Sequence, residues 1–165
     1  MADSPSLTRV ANMSSKTAVI FDMDGTLCDV TSIRHHVLDR RRRNYTAFHY
    51  LSVFCPPISW VRDRALKYHA ENVTVLIVTA RQEEWRHLTE TWCDSNGIPY
   101  ESVHMRRQGD QRKDEIIKSE ILDHLLETYD IIHAFDDNPN VIELWRERGI
   151  EHTVVPGWNE EKYEQ

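Results

Sequence analysis

The sequence contains little cysteine, and its apolar residues never form a long run. Its three cysteines, Cys28, Cys55 and Cys93, are scattered and form no CxxC pair. This pattern argues against a disulfide framework or a zinc site, and it fits a reducing compartment, so we expect a cytoplasmic protein. No apolar run approaches the ~20 residues that a membrane helix requires. The first 16 residues also lack the apolar core of a secretory signal.

Positive charge is also scarce, because 20 lysines and arginines face 27 aspartates and glutamates, giving a net charge of −7. Proteins that grip long nucleic acids by their phosphates are usually basic, so extended duplex binding is not expected. A local basic patch can still bind a single terminus. Two such patches occur, RRRR at 40–43 and MRRQGDQRK at 105–113. An arginine run is equally often a solvated helix face, so the role of Arg40–Arg43 stays open.

The chain alternates apolar runs with helical patterns. Its 165 residues, 40% of them hydrophobic and 28% charged, suit one globular domain. We expect a disordered leader over 1–15 and a single domain over 16–165. Strands are predicted at 17–22, 73–80, 100–105, 131–137 and 152–156, and helices at 56–71, 81–97, 114–129 and 138–149. This alternation predicts an α/β fold, a three-layer doubly wound and mostly parallel sheet.

The stretch from 28 to 56 interrupts this alternation. It is long for a connection between a strand and a helix, and it is rich in arginine, histidine and aromatic residues. Loops at the carboxyl ends of parallel strands surround the ligand crevice. We therefore expect a small cap or flap inserted after the first strand and lying over a site.

Polar side chains follow three of the predicted strands where each strand ends. These residues are Asp22, Asp24, Thr79, Arg81, Asp136 and Asp137. Because the carboxyl ends of parallel strands converge on one crevice, we expect these groups to be neighbours. A carboxylate cluster without histidine or cysteine at ligand spacing selects a hard cation, and Mg²⁺ is favoured because it binds through carboxylates and substrate phosphate.

Such a cluster predicts phosphoryl chemistry. An ionised aspartate beside a cation can attack phosphorus to form an aspartyl-phosphate. A second aspartate two residues later can protonate the leaving oxygen and then activate water. A hydroxyl and a lysine would hold the oxygens of the transferred group, and Thr79 and Lys113 are the candidates.

Four short motifs carry a resemblance to a known superfamily. DMDGTL at 22–27, VTAR at 78–81, Lys113 within GDQRKDE, and AFDDN at 134–138 resemble, in order, the four motifs of haloacid dehalogenase-like phosphatases. The longer stretch RRQGDQRKDEIIKSEIL, at 106–122, is similar to the 3′-phosphatase domain of bacteriophage polynucleotide kinase. That resemblance covers roughly 16–156. It implies a Mg²⁺-dependent enzyme that removes a 3′-phosphate from a DNA or RNA end.

The resemblance also implies roles for individual residues. Asp22 resembles the nucleophile and Asp24 the general acid and base. The phosphate ligands implied are Thr79, Ala80, Arg81 and Lys113. The metal set implied is Asp22, Asp24 through its backbone carbonyl, Asp136 and, around them, Asp137. Arg107 and Arg112 would meet the polynucleotide backbone.

Some features depart from that family and leave alternatives open. No GxxxxGK[ST] motif occurs, so 5′-phosphorylation by this chain is not expected. Asn138 stands where an arginine is expected after the paired aspartates. The alternative substrates are free nucleotides or other small phosphomonoesters. A non-catalytic module that only binds phosphorylated ends, and a phosphotransferase with an acceptor other than water, are the remaining alternatives.

Overall fold

A five-stranded parallel sheet forms the centre of the computed structural model, which describes residues 15–157. The strands are β1 (Lys16–Phe21), β2 (Thr74–Gln82), β3 (Ser102–Arg106), β4 (Tyr129–Asp136) and β5 (His152–Val154). Their order is β3-β2-β1-β4-β5, and each neighbouring pair is parallel. The predicted α/β doubly wound class is confirmed. The predicted leader lies outside the described residues apart from Ser15.

Six α-helices and one 3₁₀ turn connect the described strands. The helices are α1 (His35–Leu38), α2 (Tyr45–Ser52), α3 (Ser59–Ala70), α4 (Arg86–Ser95), α5 (Asp114–Leu126) and α6 (Pro139–Glu147), and the 3₁₀ turn is Glu83–Trp85. The predicted helix start at residue 81 is wrong. Strand β2 instead continues to Gln82, which pairs with Arg106 of β3.

The helices cover both faces of the sheet. Because successive strand residues point to opposite faces, Val19 and Phe21 of β1 join one hydrophobic cluster and Ala18 and Ile20 join the other. The first cluster includes buried residues of α3 and α4, and the second includes buried residues of α5 and α6. The result is three layers, with β1 at the middle of the sheet.

Two phenylalanines fix the relation between β1 and β4 where both strands end. The rings of Phe21 and Phe135 stack with centroids 4.5 Å apart and planes 8° apart. The backbone N–H of Asp22 donates to the carbonyl of Phe135 at 3.0 Å. The residues that follow the stacked pair, Asp22 and Asp136, therefore leave the sheet side by side.

The connection between β1 and α3 forms the expected insertion and contains α1 and α2. Two backbone hydrogen bonds hold its ends together, from Asp29 to the Pro56 carbonyl at 2.9 Å and from Ile58 to the Leu27 carbonyl at 2.8 Å. The indole N–H of Trp92 in α4 donates to the Cys55 carbonyl at 2.8 Å. These bonds attach the insertion to the carboxyl-terminal edge of the sheet.

Across residues 15–157, no helix combines the length and the apolar character that crossing a bilayer requires.

Candidate active site

Three carboxylates meet where β1 and β4 end. Oxygen atoms of Asp22, Asp136 and Asp137 all lie within 4.8 Å of one another, and all three residues are buried. The middle position of β1 and its parallel pairing with β4 bring them together, as the sequence predicts for groups at converging strand ends.

A buried lysine from α5 joins two of these carboxylates. The Nζ of Lys118 donates to Asp22 Oδ1 at 2.9 Å and to Asp136 Oδ2 at 2.6 Å. Burial alone would lower the pKa of Lys118, but the charges of Asp136 and Asp22 outweigh it and the pKa is raised. Lys118 therefore stays an ammonium ion between the two aspartates.

The geometry points to a different lysine from the one that the sequence suggested, and the role of each stays a prediction. Lys113 is exposed at the N-cap of α5, and it is not among the residues that line the cavity around the carboxylates. Lys118 lies five residues later, on the buried face of α5 together with Leu122 and Leu125. The spacing carried a usable signal, because Lys118 precedes Leu122 by four residues and Leu125 by seven, and so lies on the apolar face of the helix.

Burial and mutual repulsion raise the pKa values of two of the carboxylates. For Asp22, burial raises the pKa most, Lys118 opposes it, and the charge of Asp136 raises it further. For Asp137, burial acts first and the charges of Asp22 and Asp136 add to it. One ammonium group thus does not fully offset three acidic groups, and a further positive charge would favour their ionised forms.

The donor set fits a hard divalent cation. It consists of carboxylate oxygens, with no histidine or cysteine in the cluster, and such oxygens are the ligands that Mg²⁺ and related ions prefer. Asp22, Asp136 and Asp137 are the residues whose side chains would hold it. The carboxylate of Asp24, which the sequence placed near this set, is engaged elsewhere.

Asp24 forms a two-pronged ion pair with Arg81. The Arg81 Nε donates to Asp24 Oδ2 at 2.9 Å and one terminal nitrogen donates to Oδ1 at 2.5 Å. The other terminal nitrogen donates to the Thr89 hydroxyl at 3.1 Å. Burial would raise the pKa of Asp24, but the Arg81 charge and hydrogen bonds outweigh it and lower the pKa.

The end of β2 lies beside these groups. Thr79, Ala80 and Arg81 all line the same cavity as Asp22 and Asp24. The Thr79 hydroxyl oxygen accepts a hydrogen bond from the Arg81 backbone N–H at 3.2 Å. The hydroxyl proton of Thr79 therefore does not take part in this bond. The structure brings these predicted residues together with the carboxylates, and their roles stay predictions.

Arg106 belongs to the basic patch at 105–113, which the sequence placed near the site without giving this residue a role. Its Nε donates to the Ala80 carbonyl at 2.8 Å, and its terminal nitrogens donate to the Arg112 carbonyl at 2.5 Å and to Asp114 Oδ1 at 2.6 Å. The same guanidinium also reaches the Asp110 carbonyl at 3.1 Å. Arg106 therefore ties the loop before α5 to the end of β2.

The two arginines predicted to contact a polynucleotide lie in different surroundings. Arg107 is exposed and is not among the cavity-lining residues. Arg112 does line the cavity, but it pairs with Asp110 at 2.7 Å and with Glu120 at 2.5 Å. The structure thus separates Arg107 from the cavity and gives Arg112 two acidic partners.

Gly25 makes the approach of Asp137 possible. Its φ of +81° is a left-handed conformation, and a Cβ at this position would lie 2.4 Å from Asp137 Oδ2. The Thr26 hydroxyl donates to Asp137 Oδ1 at 3.4 Å. Glycine therefore relieves both the backbone and the steric constraint in the turn after β1.

The sequence matches a described protein family, and the fold matches solved structures. Residues 16–157 match the model of the family described as the polynucleotide kinase PNKP phosphatase domain. The chain belongs to that family. It is therefore a haloacid dehalogenase-like phosphatase domain, as its motifs predicted, and a phosphatase-type hydrolase.

Solved structures agree with this assignment. This chain is similar to one in the Pnkp1/Rnl/Hen1 RNA repair complex, with 26% sequence identity and a TM-score of 0.75. The match covers 87% of this chain and 43% of that one. A second structure of that complex matches over 51% of its chain, so this protein spans about half the length of these relatives. Two more distant matches show the fold alone. They are a class C acid phosphatase from Bacillus anthracis with tungstate bound (12% identity, TM-score 0.67, 87% and 67% covered) and the haloacid dehalogenase-like SP0104 from Streptococcus pneumoniae (14%, 0.60, 86% and 85%).

Proposed function

We propose that this protein is a Mg²⁺-dependent phosphomonoesterase that removes the 3′-phosphate from polynucleotide ends through an aspartyl-phosphate on Asp22. The observation that carries the proposal is the buried grouping of Asp22 with Asp136, Asp137 and Lys118 beside the Asp24–Arg81 pair. Membership of the polynucleotide kinase phosphatase family supports the substrate class.

Asp22 is the proposed nucleophile. Its Oδ1 accepts from Lys118 at 2.9 Å, and its Oδ2 accepts a longer bond from the Thr26 hydroxyl at 3.3 Å. Oδ2 is the less tightly held of the two and is the oxygen that we expect to attack. That oxygen forms a bond to phosphorus while the bond between phosphorus and the 3′ oxygen breaks. A bound divalent cation would offset the charge of the carboxylates and of the phosphate oxygens.

Asp24 is the proposed acid and base. It gives a proton to the leaving 3′ oxygen, and as a carboxylate it then takes a proton from the water that attacks the phosphoaspartate. The second step releases inorganic phosphate and restores Asp22. Arg81 lowers the pKa of Asp24 and so stabilises the carboxylate that the second step requires. The first step requires the protonated form, which the Arg81 ion pair disfavours.

Phosphate recognition is assigned to neighbouring groups. A guanidinium has five N–H donors, and within the described residues Arg81 uses three of them. The remaining two, with Lys118 and the backbone at Thr79 and Ala80, would hold the oxygens of the transferred group. Lys118 thus takes the place that the sequence suggested for Lys113.

The cavity is large enough for a polynucleotide end and has cations at its rim. Its volume is about 1150 Å³, and it extends from the carboxylates to Arg40 and Arg43 of the insertion. Among residues 15–157, neither arginine forms a salt bridge to a carboxylate, and Arg43 Nε donates to the Val37 carbonyl at 3.1 Å. Both charges are thus available to the phosphodiester backbone.

A small phosphomonoester, such as a free nucleotide, is the second candidate. It is favoured by the ion pairs of Arg112 with Asp110 and Glu120, which neutralise one rim cation, and by the net charge of −7. Those features reduce the attraction for a long polyanion.

Phosphate release distinguishes these candidates. We would compare a 3′-phosphorylated oligonucleotide, the same oligonucleotide with a 5′-phosphate, and 3′- and 5′-mononucleotides, each with Mg²⁺ and with a chelator. The proposal expects the 3′-phosphorylated oligonucleotide to have the highest kcat/KM and to require the cation. A preference for mononucleotides would favour the second candidate, and tight end binding without turnover would favour a binding module.

A further inference from the structure

An aromatic surface lines the catalytic cavity and is formed by the insertion together with the turn after β2. It consists of Tyr45 and His49 on α2 and of Trp85 in the 3₁₀ turn after β2, and we call these three residues the aromatic wall. All three line the same cavity as Asp22 and Asp24. The rings of His49 and Trp85 stack with centroids 4.9 Å apart, and those of Tyr45 and His49 lie 6.4 Å apart with planes 19° apart.

The outer part of this wall is accessible. Tyr45 is 52% exposed, and Trp85 is only partly buried. Tyr50 contacts Trp85 edge-on, with centroids 5.6 Å apart and planes 81° apart, which fixes the indole in place. An exposed tyrosine and a partly exposed tryptophan, each stacked with His49 and lining a polar cavity, offer flat apolar surface to a planar ligand group.

The inner part of the wall contains a buried polar atom without a partner. His49 is only 7% exposed, and within the described structure its Nδ1 has no hydrogen-bond partner. Leaving such an atom buried and unsatisfied costs free energy, so a ligand group is the expected partner. Burial lowers the pKa of His49 to about 4, although Asp24 opposes it. The imidazole is therefore neutral and can donate or accept.

The interactions that link these groups follow the same sequence as the groups of a nucleotide. Asp24 lies at the catalytic end, and its charge acts on His49. His49 in turn stacks on Trp85. In a 3′-nucleotide the phosphate is joined to the sugar, and the sugar is joined to the base.

We propose that the aromatic wall binds the terminal nucleoside of the substrate, with the base stacked on Tyr45 and Trp85 and the sugar hydrogen-bonded to His49 Nδ1. This inference rests on the proposed function, since it adds recognition of the nucleoside to hydrolysis of its 3′-phosphate. Base–aromatic stacking tolerates any base, so the wall selects nucleotide ends without reading sequence.

Removing the base tests the wall directly. Two 3′-phosphorylated oligonucleotides would be compared, one with a normal terminal nucleotide and one with a terminal tetrahydrofuran residue that lacks a base. The wild-type protein should favour the normal end by about 10-fold in kcat/KM. Tyr45→Ala should reduce this preference to about 3-fold or less, whereas Phe54→Ala should leave it unchanged. Phe54 is a suitable control because it is an exposed aromatic residue of the same insertion that does not line the cavity.

His49→Phe provides a second test, since it keeps a ring against Trp85 but removes the nitrogen. We expect kcat/KM on both oligonucleotides to fall about 5-fold while the base preference remains. Equal turnover of the two oligonucleotides by wild-type protein would overturn the stacking, although the proposed function would stand. Unchanged kcat/KM in His49→Phe would overturn the sugar contact. Turnover of neither oligonucleotide would overturn the proposed function and this inference with it.

Discussion

The carboxylate centre and the insertion face one cavity, but they are built differently. At the centre, buried side chains form ion pairs, as Lys118 does with Asp22 and Asp136 and Arg81 does with Asp24. In the insertion, Arg40, Arg43 and Tyr45 are exposed at the rim. The charges of the centre are buried and held in ion pairs, whereas the side chains of the rim are open to solvent.

This difference predicts that the centre carries out the reaction and that the insertion determines which substrates are preferred. Changes at the centre should affect every phosphoester alike, because every substrate meets the same reacting groups. Changes in the insertion should affect some substrates more than others. A variant at the centre that altered only substrate preference would contradict this division of roles. A rim variant that lowered turnover of every substrate equally would contradict it too.

The largest effect is expected for Asp22→Asn. The amide keeps the shape of the side chain but is a far poorer nucleophile, so kcat should fall at least about 1000-fold on every substrate. Phosphate release and trapping of a phosphorylated protein would measure the loss. Asp63→Asn, an exposed change on α3, is the matched control and should retain wild-type kcat. Activity within 10-fold of wild type in Asp22→Asn would contradict the proposed nucleophile.

The two candidate lysines provide the next test. Lys118→Met removes the ammonium ion between Asp22 and Asp136 and should lower the free energy of unfolding without cation by about 3 kcal/mol. Turnover should also fall by more than about 100-fold. Lys113→Met, at an exposed position, should change stability by less than about 0.5 kcal/mol. Thermal melts with and without Mg²⁺ and phosphate release would measure both. Equal losses in the two variants would contradict the assignment of Lys118.

Gly25 and Gly109 allow steric and backbone effects to be separated, because both have φ of +81°. A Cβ at Gly25 would meet Asp137, whereas at Gly109 nothing lies within 4 Å. Gly109→Ala should therefore cost only the strain of the left-handed backbone, about 1 kcal/mol. Gly25→Ala should cost at least about 1 kcal/mol more, and it should lower kcat about 10-fold by displacing Asp137. Chemical denaturation and initial rates would measure the difference, and equal costs would argue against the close approach of Asp137.

The smallest effect is expected at the rim. Replacing Arg40 and Arg43 together with glutamine should raise KM for an oligonucleotide about 5-fold at low salt, and the difference should shrink as salt screens the charges. Replacing Arg41 and Arg42 removes the same charge from residues that do not line the cavity and should have a smaller effect. Initial rates over a salt series would measure it. Equal KM values in the two double variants would indicate a general charge effect.

Strand ends were easier to predict than side-chain partners. Runs such as VTVLIVTA predict buried parallel strands because both faces must be apolar, and converging strand ends then place Asp22 near Asp136. The choice between Lys113 and Lys118 did not depend on the helix start, since α5 begins at residue 114 as predicted. It depended on which lysine lies on the buried face of α5, and a motif match alone does not show that. The Asp24–Arg81 pair could not be predicted, because it depends on the directions of two side chains from different strands.

The insertion was predicted as a region but not in its details. Its length and composition indicated a cap, yet α1 and α2 are short and carry little periodic signal. The stacking of His49 on Trp85 joins residues from separate elements, and only the folded chain brings these rings together. The bounds expected for the cap, 28–56, stay a prediction, and a backbone bond from this region to the body is made by Ile58.

The stacked rings of Phe21 and Phe135 have a consequence for how such a phosphatase can change. Each ring directly precedes one of the two aspartates joined by Lys118, so the spacing between those aspartates depends on how two apolar side chains pack beneath them. Replacing either ring with a smaller or branched side chain would shift an acidic group by a fraction of an ångström without touching any polar atom. The close packing of these apolar side chains therefore sets the distance between the two acidic groups. Selection for turnover then acts also on residues that do not contact the substrate.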